Sequence, residues 1–244
     1  MAINWSEGKM RIDKLLSDMG LATRSEARAA CKSGQILVDG KAVKDSSCHV
    51  DPARQSITFR GREISYRKHT YVMLNKPEGY VSATEDSKLP VVTELLDGEL
   101  RKMELFPVGR LDKDTTGLMI LTNNGPLAHR VLSPKHHVPK VYRFTAAEPM
   151  ADGVEEKFRD GVTLADGYEC KSAIIVLDDD RMGGFITLTE GKYHQIKRMV
   201  ASTHNRVVTL ERISFGEIEL DTSLARGEYR LLTDSEIATL EAHL

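Results

Sequence analysis

The sequence predicts an α+β protein of two domains, and three observations lead to this fold class. Apolar residues recur at helical spacing at Ile12, Leu15, Leu16 and Met19, and a hairpin pattern follows them. Further along, several short apolar runs of strand length alternate with only a few helical patterns. A chain of 244 residues, 41% hydrophobic and 29% charged, is long enough for two such domains and has the composition of an ordinary soluble protein.

Residues 10–60 form the first predicted domain, a small helix-led module. The first helix is expected to end at Gly20, and residues 23–26 (Thr-Arg-Ser-Glu) have the spacing of a capping box that opens a second helix. Two short apolar runs within residues 35–43 flank an Asp-Gly pair, which tolerates the positive φ angles of a two-residue turn. This pattern predicts a β-hairpin after the two helices.

The basic charge of the chain is concentrated near its beginning. Residues 1–70 hold 13 Lys and Arg against 8 Asp and Glu, whereas the whole chain has a net charge of -2. Arg24, Arg28 and Lys32 lie four residues apart and therefore share one face of the second predicted helix. From this spacing alone, a solvated face and an RNA-binding face are equally good explanations.

The second predicted domain spans residues 71–244. A polar segment over residues 61–70 is interpreted as the linker between the domains, and residues 1–9 as an N-terminal extension without an assigned role. Residues 71–74 open the domain as a strand, and Pro126 begins a helix. The other predicted elements are strands at 118–121, 140–145, 185–189, 206–210, 216–220 and 228–232, with helices around 154–158, after 195 and after 233.

A compact polar loop directly before the apolar run 118–121 carries the first candidate for chemistry. Asp112 would lie in this loop, between Gly109 and Gly117, which permit positive φ angles or close backbone approach. Arg110 is close enough in sequence to hold the same carboxylate or the same ligand. On local pattern alone, an ion pair or a turn is the commoner explanation for such an Arg-x-Asp pair.

Two long windows of the second domain contain no acidic residue. They cover residues 115–147, which follow Asp112, and residues 191–210. Each window holds four Lys or Arg side chains. We expect the two windows to line a phosphate-facing cleft together.

Other sequence features limit the cellular and chemical setting. No apolar run approaches the ~20 residues that span a bilayer, and the N-terminus lacks a secretory signal, so a cytoplasmic protein is expected. Cys31, Cys48 and Cys170 are scattered and are not spaced as zinc ligands or as a disulfide framework. The sequence therefore predicts reduced thiols and no metal site.

The first domain resembles the S4 RNA-binding domain. Three segments carry the resemblance: residues 11–14 (Arg-Ile-Asp-Lys), residues 23–25 (Thr-Arg-Ser) and residues 34–40 (Gly-Gln-Ile-Leu-Val-Asp-Gly). The resemblance implies that this module binds RNA. Its implied RNA contacts are Arg11, Lys14, Arg24, Arg28 and Lys32.

The second domain resembles the pseudouridine synthases, in the branch that modifies ribosomal RNA. Residues 109–112 (Gly-Arg-Leu-Asp), continuing through residues 115–118, match the catalytic motif. Residues 76–80 match the opening motif, Lys140-Val141-Tyr142 the second motif and residues 190–199 the third. The resemblance implies a mixed, mainly antiparallel β-sheet flanked by helices.

The same resemblance assigns roles to individual residues. Asp112 would be the nucleophile or, on another account, the base that generates a glycal intermediate. Arg110 would fill the space left by a flipped uridine or hold a phosphate, and Tyr142 would stack on the base and assist proton removal at C5. Lys197 would keep Asp112 ionised and oriented, while Lys140, Lys192 and Arg198 would contact RNA. This chemistry implies no cofactor.

The implied substrate is ribosomal RNA. Residues 133–137 and 190–195 are most similar to enzymes that act on a single uridine of small-subunit 16S rRNA, uridine 516, and a monomer is expected. Three alternatives remain at this point: a synthase for 23S rRNA, a noncatalytic RNA-binding or ribosome-assembly protein, and a hydrolase that uses Asp112 and His194. The hydrolase lacks a second carboxylate in register.

Overall fold

The computed structural model describes residues 8–133 and 135–242, and the chain divides into two compact units. The first unit takes the chain up to Thr70 together with Leu96–Leu105. The second takes Tyr71–Leu95 and the chain from Phe106 onward. Residues 1–7 of the predicted N-terminal extension lie outside the described residues.

The first unit, as far as its residues are described, contains two α-helices and short antiparallel strands. The apolar side chains of its first helix, Ile12, Leu15 and Leu16, are completely buried, as the helical spacing predicts. Strands β2, β5 and β6 form one small sheet with β3 at its edge, and β1 pairs with β4. The elements are β1 (Met10–Arg11), α1 (Ile12–Asp18), α2 (Arg24–Lys32), β2 (Ile36–Val38), β3 (Lys41–Ala42), β4 (His49–Val50), β5 (Ile57–Phe59) and β6 (Arg62–Ile64).

Local hydrogen bonds confirm the predicted helix start and turn of the first unit. The amide of Glu26 donates to the Thr23 hydroxyl at 3.2 Å, and the amide of Thr23 donates to the Glu26 carboxylate at 2.7 Å. This reciprocal pair is the capping box that opens α2. Asp39 and Gly40 adopt φ angles of 50° and 76°, as a two-residue hairpin turn requires.

The predicted linker over residues 61–70 is wrong in its first half. Arg62–Ile64 is β6, and it pairs antiparallel with β5 through Phe59↔Arg62 and Ile57↔Ile64. Ile64 also packs against the apolar core of the unit. The sequence pattern did not predict this strand because two of its three side chains, those of Arg62 and Glu63, are charged.

The second unit is built on a mixed sheet that is mainly antiparallel, which confirms the expected fold class. The strand order is β11-β12-β10-β13-β9-β7-β15, with β14 on β13 and β8 on β9, and β9 pairs with β13 in parallel. The strands are β7 (Tyr71–Lys76), β8 (Phe106–Pro107), β9 (Thr116–Thr122), β10 (Lys140–Ala146), β11 (Ile174–Leu177), β12 (Gly183–Leu188), β13 (Val207–Phe215), β14 (Ile218–Glu219) and β15 (Tyr229–Leu231).

In the described part of this unit, four α-helices accompany the sheet. They are α3 (Gly125–Leu132), α4 (Val154–Asp160), α5 (Gln195–Ala201) and α6 (Asp234–Glu241). Helix α4 packs on β11, α5 packs on β13, and α3 contacts α6. Within residues 8–133 and 135–242, none of the helices combines the length and apolar character needed to cross a bilayer.

Arg230 joins the last strand to the last helix of the second unit. Its guanidinium donates to Asp221 at 2.6 Å and to both carboxylate oxygens of Glu236 at 2.8 Å. Hydrogen bonds from Ser223 and Arg230 lower the pKa of Asp221 to about 2. Those from Arg230, opposed by burial, lower the pKa of Glu236. The ion pairs therefore stabilise the fold only while both carboxylates are charged.

Replacement of Arg230 by methionine should flatten the acid dependence of stability. A carboxylate with a lowered pKa in the folded state stabilises the fold above its unfolded pKa, and this stabilisation is lost as the pH falls through the folded pKa. Between about pH 4.5 and pH 2, the free energy of unfolding should thus fall more steeply in the wild type than in Arg230→Met. Urea titrations across this range measure it, with Arg159→Met, an exposed arginine of the same unit, as the control. Parallel curves for wild type and Arg230→Met would contradict the expectation.

Candidate active site

Asp112 lies in the loop between β8 and β9, and two glycines shape this loop as the sequence predicts. Gly109 and Gly117 have φ angles of +84° and +97°, a region that disfavours other residues. A Cβ atom on Gly117 would lie 2.3 Å from the carbonyl oxygen of Arg212. The loop therefore enters β9 in direct backbone contact with β13.

Lys197 on α5 holds the carboxylate of Asp112. Its Nζ lies 3.1 Å from Asp112 Oδ2 and also contacts Asp114. The side chains of Asp112 and Lys197 are 27% and 22% exposed, so solvent screens this pair only in part. Burial opposes the charge on Lys197, yet hydrogen bonds to Asp114 and Asp112 leave its pKa above the ordinary value. Lys197 is therefore a stable cation beside the carboxylate.

A second lysine, Lys76, holds the main chain of the Asp112 loop through hydrogen bonds. Lys76, at the end of β7, is completely buried, and its Nζ donates to the carbonyl oxygens of Asp112 at 3.1 Å, Lys113 at 3.3 Å and Thr115 at 2.8 Å. It also donates to Pro77 at 3.1 Å. Burial lowers the pKa of Lys76 to about 8, although Asp114 and Asp112 act in the opposite direction. One amine thus fixes the main chain on both sides of the Asp112 loop.

Tyr142 and Arg212 form the floor of the site. They are direct cross-strand partners on β10 and β13, and Arg212 is in turn paired with Gly117 on β9. The Arg212 side chain is 1% exposed and donates through Nε to the carbonyl oxygen of Leu118 at 2.8 Å. Burial lowers the pKa of Arg212, whereas the neighbouring Tyr142 hydroxyl favours its charge. Among the described residues, no carboxylate lies within salt-bridge distance of this guanidinium.

These groups surround a cavity of about 580 Å³. Asp112, Tyr142, Lys197 and Arg212 line it, together with residues from both acid-free windows of the sequence. The expectation that the two windows share a cleft is therefore correct. Thr115 also lines the cavity, and its hydroxyl is the buried side-chain atom that has no hydrogen-bond partner in the part of the chain that the structure describes.

The segment before α5 forms one rim of the cavity and is ordered by buried polar contacts. The Gln195 side chain accepts from the amide of Lys192 at 2.8 Å and donates to the carboxylate of Glu190 at 2.6 Å. Glu190 also accepts from the hydroxyl of Tyr168 at 2.8 Å. His194 has a φ angle of 50°, and its Nε2 lies 3.7 Å from Asp112 Oδ1. Its side chain makes no capping hydrogen bond to α5.

The candidate RNA-binding residues of the second unit differ in how accessible their charges are. Arg110 and Lys192 are exposed and line the cavity. Lys140 also lines it, but its Nζ donates to the carbonyl oxygen of Val138 at 3.0 Å, and burial lowers its pKa to about 8. Arg198 forms an ion pair with Asp166. The charge of Arg198 is thus partly neutralised within the chain.

In the first unit, the candidates also fall into two groups. Arg24, Arg28 and Lys32 are exposed along one face of α2. Arg11 is paired with Asp13 at 2.6 Å, and Lys14 with Asp18 at 2.6 Å. The α2 face therefore offers the unneutralised positive charge.

Arg212, Tyr168 and Lys171 also line the cavity, and none of them was predicted from the sequence. For Arg212 a signal exists, because Leu210, Arg212 and Ser214 alternate on the buried face of one strand. A charged residue at an inward position of a strand indicates a functional or a specifically paired site. Tyr168 and Lys171 lie in an irregular acidic segment that offers no periodic signal.

Comparisons with known proteins agree with this geometry. Residues 70–202 match the family model described as RNA pseudouridylate synthase, and residues 10–55 match that of the S4 domain. The chain is 45% identical over 234 residues to the uncharacterized RNA pseudouridine synthase YtzG of Bacillus subtilis, with 95% of this chain and 98% of that protein covered. It is 38% identical to ribosomal small subunit pseudouridine synthase A of Escherichia coli K12, covering 95% and 100%. A crystal structure of a pseudouridylate synthase superposes with a TM-score of 0.67 at 37% identity, covering 95% of this chain and 99% of that chain.

Removal of the Lys76 amine should disturb the Asp112 loop and also destabilise the fold. In Lys76→Met, four carbonyl oxygens lose their donor, and we expect a loss of about 2–4 kcal/mol in the free energy of unfolding. Turnover should fall at least about tenfold because Asp112 is no longer fixed. Denaturant unfolding and single-turnover assays measure both. Lys113→Met, an exposed side chain of the same loop, is the control. Wild-type turnover by Lys76→Met would show that its amine does not position the loop.

Proposed function

Because the chain belongs to the RNA pseudouridylate synthase family and is a pseudouridine synthase with an S4 domain, we propose that Asp112 carries its reaction on a flipped-out uridine of ribosomal RNA. The observation that carries this proposal is the Asp112–Lys197 pair at 3.1 Å in a cavity whose floor is Tyr142 and Arg212. A fixed carboxylate in a pocket for one nucleotide is the arrangement that an isomerisation at the glycosidic bond needs.

Asp112 Oδ1 is the attacking atom in this mechanism. Lys197 donates a hydrogen bond to Oδ2, whereas Oδ1 lies 3.7 Å from His194 Nε2, which is beyond hydrogen-bond distance. Oδ1 bonds to C1′ of the ribose as the bond from C1′ to uracil N1 breaks. The uracil then turns and bonds to C1′ through C5 while Oδ1 leaves, C5 loses its proton and N1 gains one. Atoms and electrons balance within the nucleotide, so the proposed reaction uses no cofactor.

The floor of the cavity would bind the uracil. Tyr142 presents its ring from β10 and stacks on the base, and its hydroxyl assists removal of the C5 proton. Arg212 keeps a positive charge beside this hydroxyl and, after N1 departs from C1′, beside the charge that develops on the uracil. Arg110, exposed at the mouth of the cavity, fills the gap in the RNA stack or holds a phosphate.

Two groups of basic side chains would bind different parts of the RNA. Lys140, Lys192 and Arg198 contact the nucleotides near the target, whereas Arg24, Arg28 and Lys32 on α2 contact phosphates elsewhere on the same RNA, supported by Arg11 and Lys14. Flipping a base costs a few kcal/mol, and such phosphate contacts offset this cost.

The proposed substrate is uridine 516 of 16S rRNA. Relatives of Escherichia coli and Yersinia pestis with 38% and 41% identity are named ribosomal small subunit pseudouridine synthase A, which favours the small subunit over 23S rRNA. The enzyme would act in the cytoplasm as a monomer, since one chain supplies all the groups named in the mechanism.

Pseudouridine mapping of ribosomal RNA tests the reaction and the substrate together. In cells that lack the gene, one small-subunit site should disappear, and only the wild-type gene should restore it.

Asp112→Asn should lower turnover more than about 10³-fold because it removes the nucleophile, while RNA affinity stays within about twofold. Asp114→Asn is the matched control, since Asp114 also contacts Lys197 but does not line the cavity. Loss of a large-subunit site instead would show that the substrate is 23S rRNA. Full activity of Asp112→Asn would show that Asp112 is not the nucleophile.

The α2 face of the S4 domain can be tested by its salt dependence. Joint replacement of Arg24, Arg28 and Lys32 by alanine should weaken RNA binding at least about tenfold at 0.1 M salt. The slope of log affinity against log salt should decrease by about 2, since each phosphate contact contributes about 0.7.

Fluorescence anisotropy with labelled 16S rRNA fragments at several salt concentrations measures both quantities. The control carries the same change of charge at Lys41, Lys44 and Arg54, which are exposed outside α2. A larger effect in the control would assign the RNA contact to a different face of this unit.

A further inference from the structure

The rim of the cavity carries an exposed aromatic ring that the mechanism does not use. Tyr193 is 72% exposed, the largest exposed fraction among the large hydrophobic side chains of the described residues. An aromatic side chain exposed to water at the mouth of a catalytic cavity gives up the free energy of apolar burial and contributes nothing to the packing of the core. Its position therefore indicates a ligand.

Tyr193 is one half of a stack that begins at the nucleophile. Its ring lies 3.8 Å from the ring of His194, with an interplanar angle of 18°. His194 in turn brings Nε2 to 3.7 Å from Asp112 Oδ1. The two parallel rings thus lead from the carboxylate outward, and the outer ring is largely open to solvent.

The chain around the rings is held in place. Gln195 accepts a hydrogen bond from the amide of Lys192 and donates one to Glu190, which fixes the main chain next to Tyr193. The carbonyl oxygen of Tyr193 accepts a hydrogen bond from Arg198 at 3.4 Å. His194 accepts a left-handed backbone conformation, with φ of 50°, that costs free energy for a residue other than glycine. This geometry keeps the His194 ring against Tyr193 rather than in a capping bond to α5.

A flipped nucleotide leaves its neighbours in the RNA without a stacking partner. Aromatic rings serve as platforms for such unstacked bases, and stacking of this kind tolerates any base because every base has a π face. The Tyr193 ring, stacked on His194 and 72% exposed, offers a flat surface to such a base. Lys192, adjacent in sequence and exposed, supplies positive charge for the backbone of the same nucleotide.

We propose that Tyr193, backed by His194, is the stacking platform for the nucleobase next to the target uridine. This inference rests on the proposed function, because it requires that a target nucleotide enters the cavity beside Asp112. Tyr193 is a substrate-binding residue here, and it takes no part in bond making or breaking.

A double-mutant cycle on binding tests the platform. Affinity is measured in the Asp112→Asn background, so that no turnover is required, with a 16S rRNA fragment that contains uridine 516 and with copies in which the 5′ or the 3′ neighbour is abasic. Tyr193→Ala should weaken binding of the intact fragment about tenfold. One of the two abasic substitutions should weaken binding to the Tyr193 protein by a similar factor and have almost no effect on the Tyr193→Ala protein.

Two control variants separate stacking from other roles. Tyr193→Phe keeps the ring and should bind within about twofold of the parent protein. Lys192→Ala should weaken binding of intact and abasic fragments by the same factor, since it acts on phosphate. Equal losses for Tyr193→Ala on intact and on both abasic fragments would overturn the platform, as would parent-like affinity of Tyr193→Ala.

A second probe separates this inference from the choice of substrate. Affinity for a short oligouridylate and for the same backbone without bases is compared in Tyr193→Ala and Tyr193→Phe. A preference for the base-containing strand that only Tyr193→Phe retains supports the platform, even if 16S rRNA is not modified in cells. Absence of that preference in both variants overturns it, while the mapping of ribosomal RNA tests the proposed function independently.

Discussion

The parallel pairing of β9 with β13 is the constraint on which the site depends. It extends over only two register positions, Glu211↔Thr116 and Arg212↔Gly117, yet it determines where two distant segments meet. The Asp112 loop enters β9, and α5 with Lys197 precedes β13, so both lie at the same end of two neighbouring parallel strands. Residues 85 positions apart in sequence thereby form a hydrogen bond of 3.1 Å. The antiparallel remainder of the sheet adds Tyr142 on β10 and Lys76 on β7 to either side of this pair, so one local pairing organises all four groups.

Two completely buried cations distinguish this centre from an ordinary core. Lys76 and Arg212 are each 0–1% exposed, and in the described chain neither has a carboxylate within salt-bridge distance. Both donate instead to main-chain carbonyl oxygens, which retain most of the hydrogen bonding that water would provide. Burial of such a charge costs free energy that burial of an apolar side chain would not cost. What the two cations contribute is position, because the Lys76 ammonium holds the Asp112 loop in place and the Arg212 guanidinium lies beside Tyr142. Lys76 and Lys197 thus bring positive charge to the Asp112 loop from two different elements, while Arg212 brings it to Tyr142.

Sequence patterns predicted the local structure of this chain better than its long-range contacts. The Thr23 capping box, the Asp39-Gly40 turn and the buried strand after the Asp112 loop all follow from short-range rules, and the structure contains each of them. Strand β6 was missed because its side chains are mostly charged, and the segment Leu96–Leu105 joins the first unit through contacts that no periodicity records. For the site, the motif resemblance implied Arg110, Asp112, Tyr142 and Lys197, and the structure places all four on the lining of one cavity. Arg212 and the Tyr193–His194 stack were not identified, since they emerge only when strand register and loop conformation are known.

The close contact at Gly117 also affects how the protein tolerates mutation. Any Cβ there would lie 2.3 Å from the Arg212 carbonyl oxygen and 2.9 Å from its amide nitrogen, both main-chain atoms that cannot move aside without separating β9 from β13. Alanine is thus as unsuitable as a large residue, and reversion is the simplest genetic route back to function. A mutational scan scored only by RNA modification would rank Gly117 with Asp112, although the glycine has no functional group. Parallel measurement of protein abundance would separate these two kinds of intolerance, because loss at Gly117 comes from the sheet itself, whereas the role proposed for Asp112 predicts loss of activity in an intact fold.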